Sequence, residues 1–128
     1  VAEDNEVNQL VFTQILRDTG LSFEIVSNGA LAVAAWREKH PRLILMDVSM
    51  PQLNGLEATG RIREEEGGES RVPIVGVTAH ALKGDRERCL EAGMDDYLSK
   101  PISPNALVAK IDRWIGAADP AGLQRKAG

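Results

Sequence analysis

A chain of 128 residues fits a single domain with a true core, and 43% hydrophobic with 27% charged residues is ordinary globular composition. The net charge of −4 and pI near 5.2 argue against a nucleic-acid-binding face, which needs clustered Lys and Arg. The one cysteine, Cys89, excludes an intrachain disulfide and suits a reducing compartment, while no signal peptide is visible and no apolar run approaches the ~20 residues of a membrane helix.

A soluble, cytoplasmic protein is therefore expected. Val1-Ala2-Glu3 reads as the stub of a first strand, as though cut from a longer polypeptide, and it ends in Glu3-Asp4-Asn5. From Glu6 to about Thr19, Val7, Leu10, Val11 and Ile15 recur at helical spacing, with Asn5 as cap and Gly20 as stop. Phe23-Glu24-Ile25-Val26 reads as a short second strand. Asn28 then caps a helix through Ala30, Leu31, Val33, Ala34 and Trp36 that ends before Pro41.

Leu43-Ile44-Leu45-Met46 has no polar face, so it reads as a strand buried on both sides, as in a parallel sheet. It delivers Asp47 to its carboxyl end, and Met50-Pro51 and Asn54-Gly55 follow as loop signals. A third helix is expected from Leu56 to Glu65, with Gly60 inside it at a cost of ~1 kcal/mol relative to Ala. The run Glu64-Glu65-Glu66 reads as its solvated end, and Gly67-Gly68 as the loop that follows.

Val72 to Val77 forms a second buried strand ending in Thr78. A fourth helix spans Lys83 to Ala92, with Gly93 in the left-handed position after it. Tyr97-Leu98-Ser99 is a fifth strand ending in Lys100-Pro101. Ser103-Pro104 starts a last helix through Leu107, Val108, Ile111, Trp114 and Ile115. Residues 1–116 thus form one domain, with 117–128 as a tail or linker. Alternating strands and helices imply a parallel sheet covered on both faces by right-handed crossovers.

Parallel strands share one carboxyl edge, where open α/β folds bind ligands. Here that edge gathers Glu3, Asp4, Asp47, Thr78 and Lys100. Two carboxylates ~5 Å apart repel by roughly 3 kcal/mol at an effective dielectric near 20. Such a group wants a cation, and hard oxygen ligands with room for water and phosphate favour Mg²⁺. Asp47 as nucleophile, Lys100 and Mg²⁺ as charge neutralisers and Thr78 as hydroxyl donor make up a phosphoryl-transfer set.

Glu3-Asp4-Asn5, Met46-Asp47-Val48-Ser49-Met50-Pro51 with Gly55, Val77-Thr78-Ala79 and Tyr97-Leu98-Ser99-Lys100-Pro101 together resemble the receiver domain of two-component response regulators, over residues 1 to about 115. Each motif is weak alone; the four in order are specific. The resemblance implies a flavodoxin-like three-layer sandwich, with a five-stranded parallel sheet of order 2-1-3-4-5 and five helices. It implies that Asp47 accepts phosphate from a histidine kinase or a histidine phosphotransfer protein. It also implies that Glu3, Asp4, Asp47 and the main-chain carbonyl of Ser49 hold Mg²⁺, and that Thr78, Ala79 and Lys100 lie against the phosphoryl oxygens. The domain would catalyse its own phosphorylation and dephosphorylation. An acyl phosphate adds charge and acceptor oxygens; Thr78 would swing toward it and Tyr97 turn inward to fill the space vacated. A cis Lys100-Pro101 bond is implied as well.

Ala2-Glu3-Asp4-Asn5 with Asn8-Gln9, Ala79-His80-Ala81-Leu82 and Gly93-Met94-Asp95-Asp96-Tyr97 look most like receivers of hybrid sensor histidine kinases, which would place the segment on the cytoplasmic side of a membrane-bound sensor. Output would pass through protein contacts, with no direct nucleic-acid or membrane contact. Plainer readings stand beside these. Glu3 and Asp4 also read as a solvated pair near a helix cap, Thr78 as a β-branched strand end, and His80 as a solvated loop residue near the site rim. His40 reads as surface, Cys89 as a plain thiol, and Trp36 and Trp114 as packing residues.

A haloacid-dehalogenase-type aspartyl-phosphate hydrolase also pairs a strand-end Asp with Mg²⁺, but it needs a second acid two residues on, where Ser49 stands. A flavodoxin relative lacks its phosphate-cradling loop here. A pseudo-receiver that only binds partners would keep the fold without the chemistry.

Overall fold

The computed structural model describes residues 1–48, 54–67, 71–78 and 83–118, the side chains of 83–85 and 116–118 excepted. Eight elements follow one another: α1 (Glu6–Thr19), α2 (Gly29–Lys39), β1 (Ile44–Asp47), α3 (Gly55–Glu66), β2 (Ile74–Thr78), α4 (Lys83–Ala92), β3 (Asp96–Ser99) and α5 (Pro104–Ala118).

The helix ends follow from local chemistry. Asn5 accepts hydrogen bonds from the N–H groups of Val7 and Asn8, and Gly20 closes α1 at φ 76°. Asn28 accepts from the Leu31 N–H to start α2, while His40, exposed and at φ 46°, ends it. At α3 the Asn54 side chain accepts from the Glu57 N–H and the Glu57 carboxylate accepts from the Asn54 N–H. This reciprocal cap starts the helix at Gly55, one residue ahead of the Leu56 expected from the apolar pattern. At the other end of the chain, α5 runs two residues past Gly116.

β1, β2 and β3 pair in parallel, with Leu45 beside Val75 and Val77 beside Leu98. The five-stranded sheet is reduced at its other side. Ala2 makes single parallel bridges to Val26 and to Met46, so the order 2-1-3-4-5 holds while the first two strands are each one bridge long. The bonds here include Val26 N–H to the Val1 carbonyl, Glu3 N–H to the Val26 carbonyl, Ala2 N–H to the Leu45 carbonyl and Asp47 N–H to the Ala2 carbonyl. The Val1 amine donates to the Glu24 carbonyl at 2.7 Å, and burial, partly opposed by the Glu24 charge, pushes its pKa down from 8.0 to about 6.

Each sheet face has its own core. Phe12, Ile15 and Leu16 of α1 and Leu107, Ile111 and Ile115 of α5 cover Leu45, Val75, Val77 and Leu98. On the opposite face, Ala32 and Val33 of α2, Ala58 and Ile62 of α3 and Cys89 of α4 cover Ile44, Met46 and Ile74. This is the three-layer arrangement expected. Trp36 and Trp114 pack against these two cores as expected, and Trp114 also donates its indole N–H to Asp96 at 3.0 Å.

Glu66 departs from the solvated reading. It accepts from Arg63 at 2.8 Å and from the Val72 N–H at 2.8 Å, with its side chain 5% exposed. The chain turning into β2 needs that acceptor.

Asp96 anchors α5 to β3. Lys110 donates to both carboxylate oxygens at 2.9 and 2.8 Å, beside the Trp114 bond and one from the Tyr97 N–H. Burial raises the Asp96 pKa, but these donors outweigh it and hold the carboxyl below its usual 3.8. A lowered folded-state pKa contributes stability above the unfolded value and loses it as pH falls through the folded one. Asp96→Asn is expected to cost about 2 kcal/mol in urea unfolding at pH 7. The gap from wild type should close as the pH is lowered below the ordinary carboxylate value.

Candidate functional site

The carboxyl edge of the sheet brings an ammonium between two buried carboxylates. β1 ends at Asp47, 2% exposed, and the bridge at Ala2 sets Glu3, 0% exposed, beside it. Lys100 follows β3, its N–H held by the Thr78 carbonyl at 2.8 Å. From there its Nζ donates to Asp47 Oδ2 at 3.0 Å and lies 3.3 Å from Glu3 Oε1. One oxygen from each of Glu3, Asp4 and Asp47 falls within 4.8 Å of the others, Asp4 being exposed. Glu3, Asp4, Asp47 and Lys100 thus form one cluster.

Glu3 is fixed from two sides. Its Oε2 accepts from the Asn5 N–H at 3.0 Å, and its carbonyl accepts from the Gln9 side-chain amide at 2.6 Å. Its buried Oε1 accepts no hydrogen bond from the described residues and has the Lys100 charge nearby. Burial is the main reason the Glu3 pKa is raised; the Asn5 bond opposes this, Asp47 adds to it, and Lys100 offsets part. For Lys100, burial lowers the pKa, but the bond and charge of Asp47 and the charge of Glu3 outweigh it and raise it. The ammonium therefore stays charged. Three carboxylates against one ammonium leave this edge short of positive charge.

Thr78 is buried at the end of β2, one step beyond the Val77 that pairs with Asp47. Tyr97, half-buried on β3, packs against the core on the α2–α4 face. The Lys100-Pro101 bond is cis. Ser49, Ala79 and His80 lie outside the described residues.

Two contributors stand in the quoted sequence motifs without a role assigned to them there. Gln9 supports Glu3 from one turn into α1. Gly55, read from sequence mainly as a loop signal, presses α3 against the strand end: its N–H donates to the Val48 carbonyl at 3.1 Å, and a Cβ there would stand 2.0 Å from the Asp47 carbonyl oxygen. Only glycine lets the helix start this close to the acid.

Residues 1–112 match the family profile described as response regulator receiver domain. The chain belongs to that receiver family. It is a receiver domain of phosphorelay signalling. It is similar to hybrid signal transduction histidine kinase I of Dictyostelium discoideum, 45% identical over 121 residues, covering 90% of this chain but spanning only 7% of that relative. Among solved structures it resembles the receiver domain of sensor histidine kinase PA1611 from Pseudomonas aeruginosa, with magnesium coordinated in its active-site cleft (TM-score 0.82, 47% identity, 90% of this chain and 93% of that one). It also resembles a co-crystal structure of the Saccharomyces cerevisiae histidine phosphotransfer protein Ypd1 with the receiver domain of Ssk1 (TM-score 0.81, 36% identity, 88% and 84%). These likenesses bear out the family, fold and phosphorelay expected from the four motifs.

The same substitution at two positions of α3 should have opposite signs. Gly55→Ala must displace the Asp47 backbone and is expected to cost about 3 kcal/mol. Nothing lies within 4 Å of a Cβ at Gly60, so Gly60→Ala should stabilise by about 0.5–1 kcal/mol. Urea unfolding of both variants checks the pair.

Proposed function

We propose that Asp47 is the phosphoacceptor of this receiver, taking a phosphoryl group from a phosphohistidine. The observation that carries the reading is Lys100 Nζ set 3.0 Å from Asp47 Oδ2 and 3.3 Å from Glu3 Oε1 on an otherwise acidic edge. In the transfer an Asp47 carboxylate oxygen bonds to phosphorus, the P–N bond breaks, and the imidazole leaves with the electron pair. Lys100 stays paired as the charge moves onto the phosphoryl oxygens, and its raised pKa keeps it cationic throughout.

The donor set fits Mg²⁺: three carboxylates within reach of one point, one of them with a buried oxygen that accepts no hydrogen bond from the described residues. Glu3, Asp4 and Asp47 would hold the ion, with the Ser49 carbonyl as the fourth protein ligand. When bound, it neutralises charge on the transferring phosphoryl group. Thr78 and Ala79 line the phosphoryl side of the pocket in this reading, and Thr78 with Tyr97 forms the switch.

The magnesium-bound PA1611 receiver supports the ion, and the Ypd1 complex supports a histidine phosphotransfer protein as partner. The Dictyostelium relative supports a hybrid-kinase context. Within the described residues no helix is long and apolar enough to cross a membrane; we place the domain in the cytoplasm. We take residues 1–116 as its signalling unit and 117–128 as a tail or linker, with α5 ending at Ala118.

Incubation with acetyl phosphate and Mg²⁺, followed by intact-mass measurement, is expected to add one phosphoryl group. Asp47→Ala should add none, and chelating the metal should prevent labelling of wild type. A wild-type chain that stays unlabelled by both acetyl phosphate and a phosphorylated histidine phosphotransfer protein would instead be a binding module.

A further inference from the structure

Of the three acids on the carboxyl edge, Asp4 is the exposed one. On one side of it Glu3 still gives its N–H to the Val26 carbonyl at 2.9 Å, and on the other Asn5 already caps α1 with its side chain. Asp4 is the single residue between ladder and cap. A connection of this kind turns about its own φ and ψ unless the peptides on either side of it are held.

Both peptides are held. On the leading side the Glu3 carbonyl accepts from the Gln9 side-chain amide at 2.6 Å. On the trailing side the Asn5 N–H donates to Glu3 Oε2 at 3.0 Å. Asn5 is tied in turn to Gln9, whose backbone N–H donates to the Asn5 carbonyl at 2.9 Å. Gln9 therefore grips the chain just before and just after Asp4, once with its side chain and once with its backbone. The helix dictates this reach. Residue 9 lies one turn beyond Asn5, and side chains on an α-helix lean toward its N-terminus, which aims the half-buried Gln9 back at the entry. An apolar side chain of the same length would fill the gap without donating.

On the reading of this edge as an Mg²⁺ site, we propose that Gln9 is a positioning residue for it. By holding the Glu3–Asp4 peptide, Gln9 keeps the Asp4 carboxylate within reach of Glu3 and Asp47, and so sets the affinity of the edge for a divalent cation. Mg²⁺ tolerates little departure from octahedral geometry. A ligand whose backbone is ordered before the ion arrives loses less freedom on binding it. Glu3 and Asp47 have the Lys100 ammonium beside them, whereas Asp4 is exposed and what Gln9 governs is its backbone. Groups that orient metal ligands without touching the metal change affinity by about 10- to 100-fold.

The test titrates Mg²⁺ into wild type, Gln9→Met, Gln14→Met, Asp4→Asn and the Asp4→Asn/Gln9→Met pair, following amide shifts by NMR. Gln9→Met keeps the length of the side chain and removes the donor; Gln14→Met makes the same change at an exposed position further along α1. Gln9→Met is expected to weaken Mg²⁺ binding about tenfold, and Gln14→Met to leave it unchanged. With Asn at position 4, which still offers an oxygen, the effect of Gln9→Met should shrink to less than about twofold, because the two residues act as one unit. In the metal-free protein the Asn5 amide should exchange about fivefold faster in Gln9→Met than in Gln14→Met. Wild-type affinity in Gln9→Met would overturn the proposal. So would a tenfold loss that persists in the Asp4→Asn background, which would put the action of Gln9 elsewhere than on Asp4. A wild type that binds no Mg²⁺ would remove the metal reading and the affinity claim together, while unchanged exchange at Asn5 would show separately that Gln9 does not hold the entry to α1.

Discussion

The contact on which the site depends is the Lys100 ammonium shared by Asp47 and Glu3. Two carboxylates buried side by side, at 2% and 0% exposure, are costly, because each loses its water and repels the other. One ammonium with limited exposure offsets part of that cost. It does so from the far end of a third segment, so Val1–Glu3, β1 and the chain after β3 must all be in register for the charges to meet. The ladder supplies that register: Asp47 N–H to Ala2, and Lys100 N–H to Thr78. A buried ion cluster seldom maximises stability. It is better understood here as a device that is short of positive charge and therefore responsive to a cation or to a change in the anion.

That incompleteness explains where rigidity is placed. Around Asp47 the backbone is clamped, with Gly55 letting α3 begin against its carbonyl and Thr78 buried one strand away. Asp4, by contrast, is exposed at the mouth. The electrostatically expensive groups are held by strands, and the acid that faces solvent sits where the chain leaves the sheet. A ligand can reach Asp4 without disturbing the core.

Much of this was legible because buried parallel strands leave a strong mark. Four apolar residues before Asp47 and six before Thr78 allowed no half-exposed strand, so their carboxyl ends had to share an edge. Helix caps were legible for a similar reason, since Asn5, Asn28 and Asn54 act within three residues of themselves. What escaped were partnerships made across the fold. Glu66 looked like the last of three solvated acids, and only the turn into Val72 shows why it is buried. Gln9 and Gly55 act on atoms six and eight residues away, through a side-chain amide and the absence of a side chain. The second strand is shorter than expected: Phe23 to Val26 has strand character of its own, but its bridge to the first segment is at Val26 alone among the described residues.

At the opposite edge, a second set of charges solves a different problem. Arg63 of α3, 14% exposed, donates to Glu66, to Asp95 at 2.7 Å, and to the carbonyls of Val72 and Gly93. Asp95 in turn accepts from Arg71 and from the Ile74 N–H. The acceptors on one guanidinium thus come from the end of α3, the entry to β2 and the entry to β3. A hydrophobic cluster of equal size would bury as much area but would tolerate a shift of one strand past another. A planar fork with fixed donors does not. Since β2 and β3 carry Thr78 and Lys100 at their far ends, a slip at Arg63 would move both by a residue and turn their side chains to the wrong face. The charges at the two edges are coupled through the strands between them, and the precision at Asp47 is set in part by an arginine on the opposite edge of the sheet.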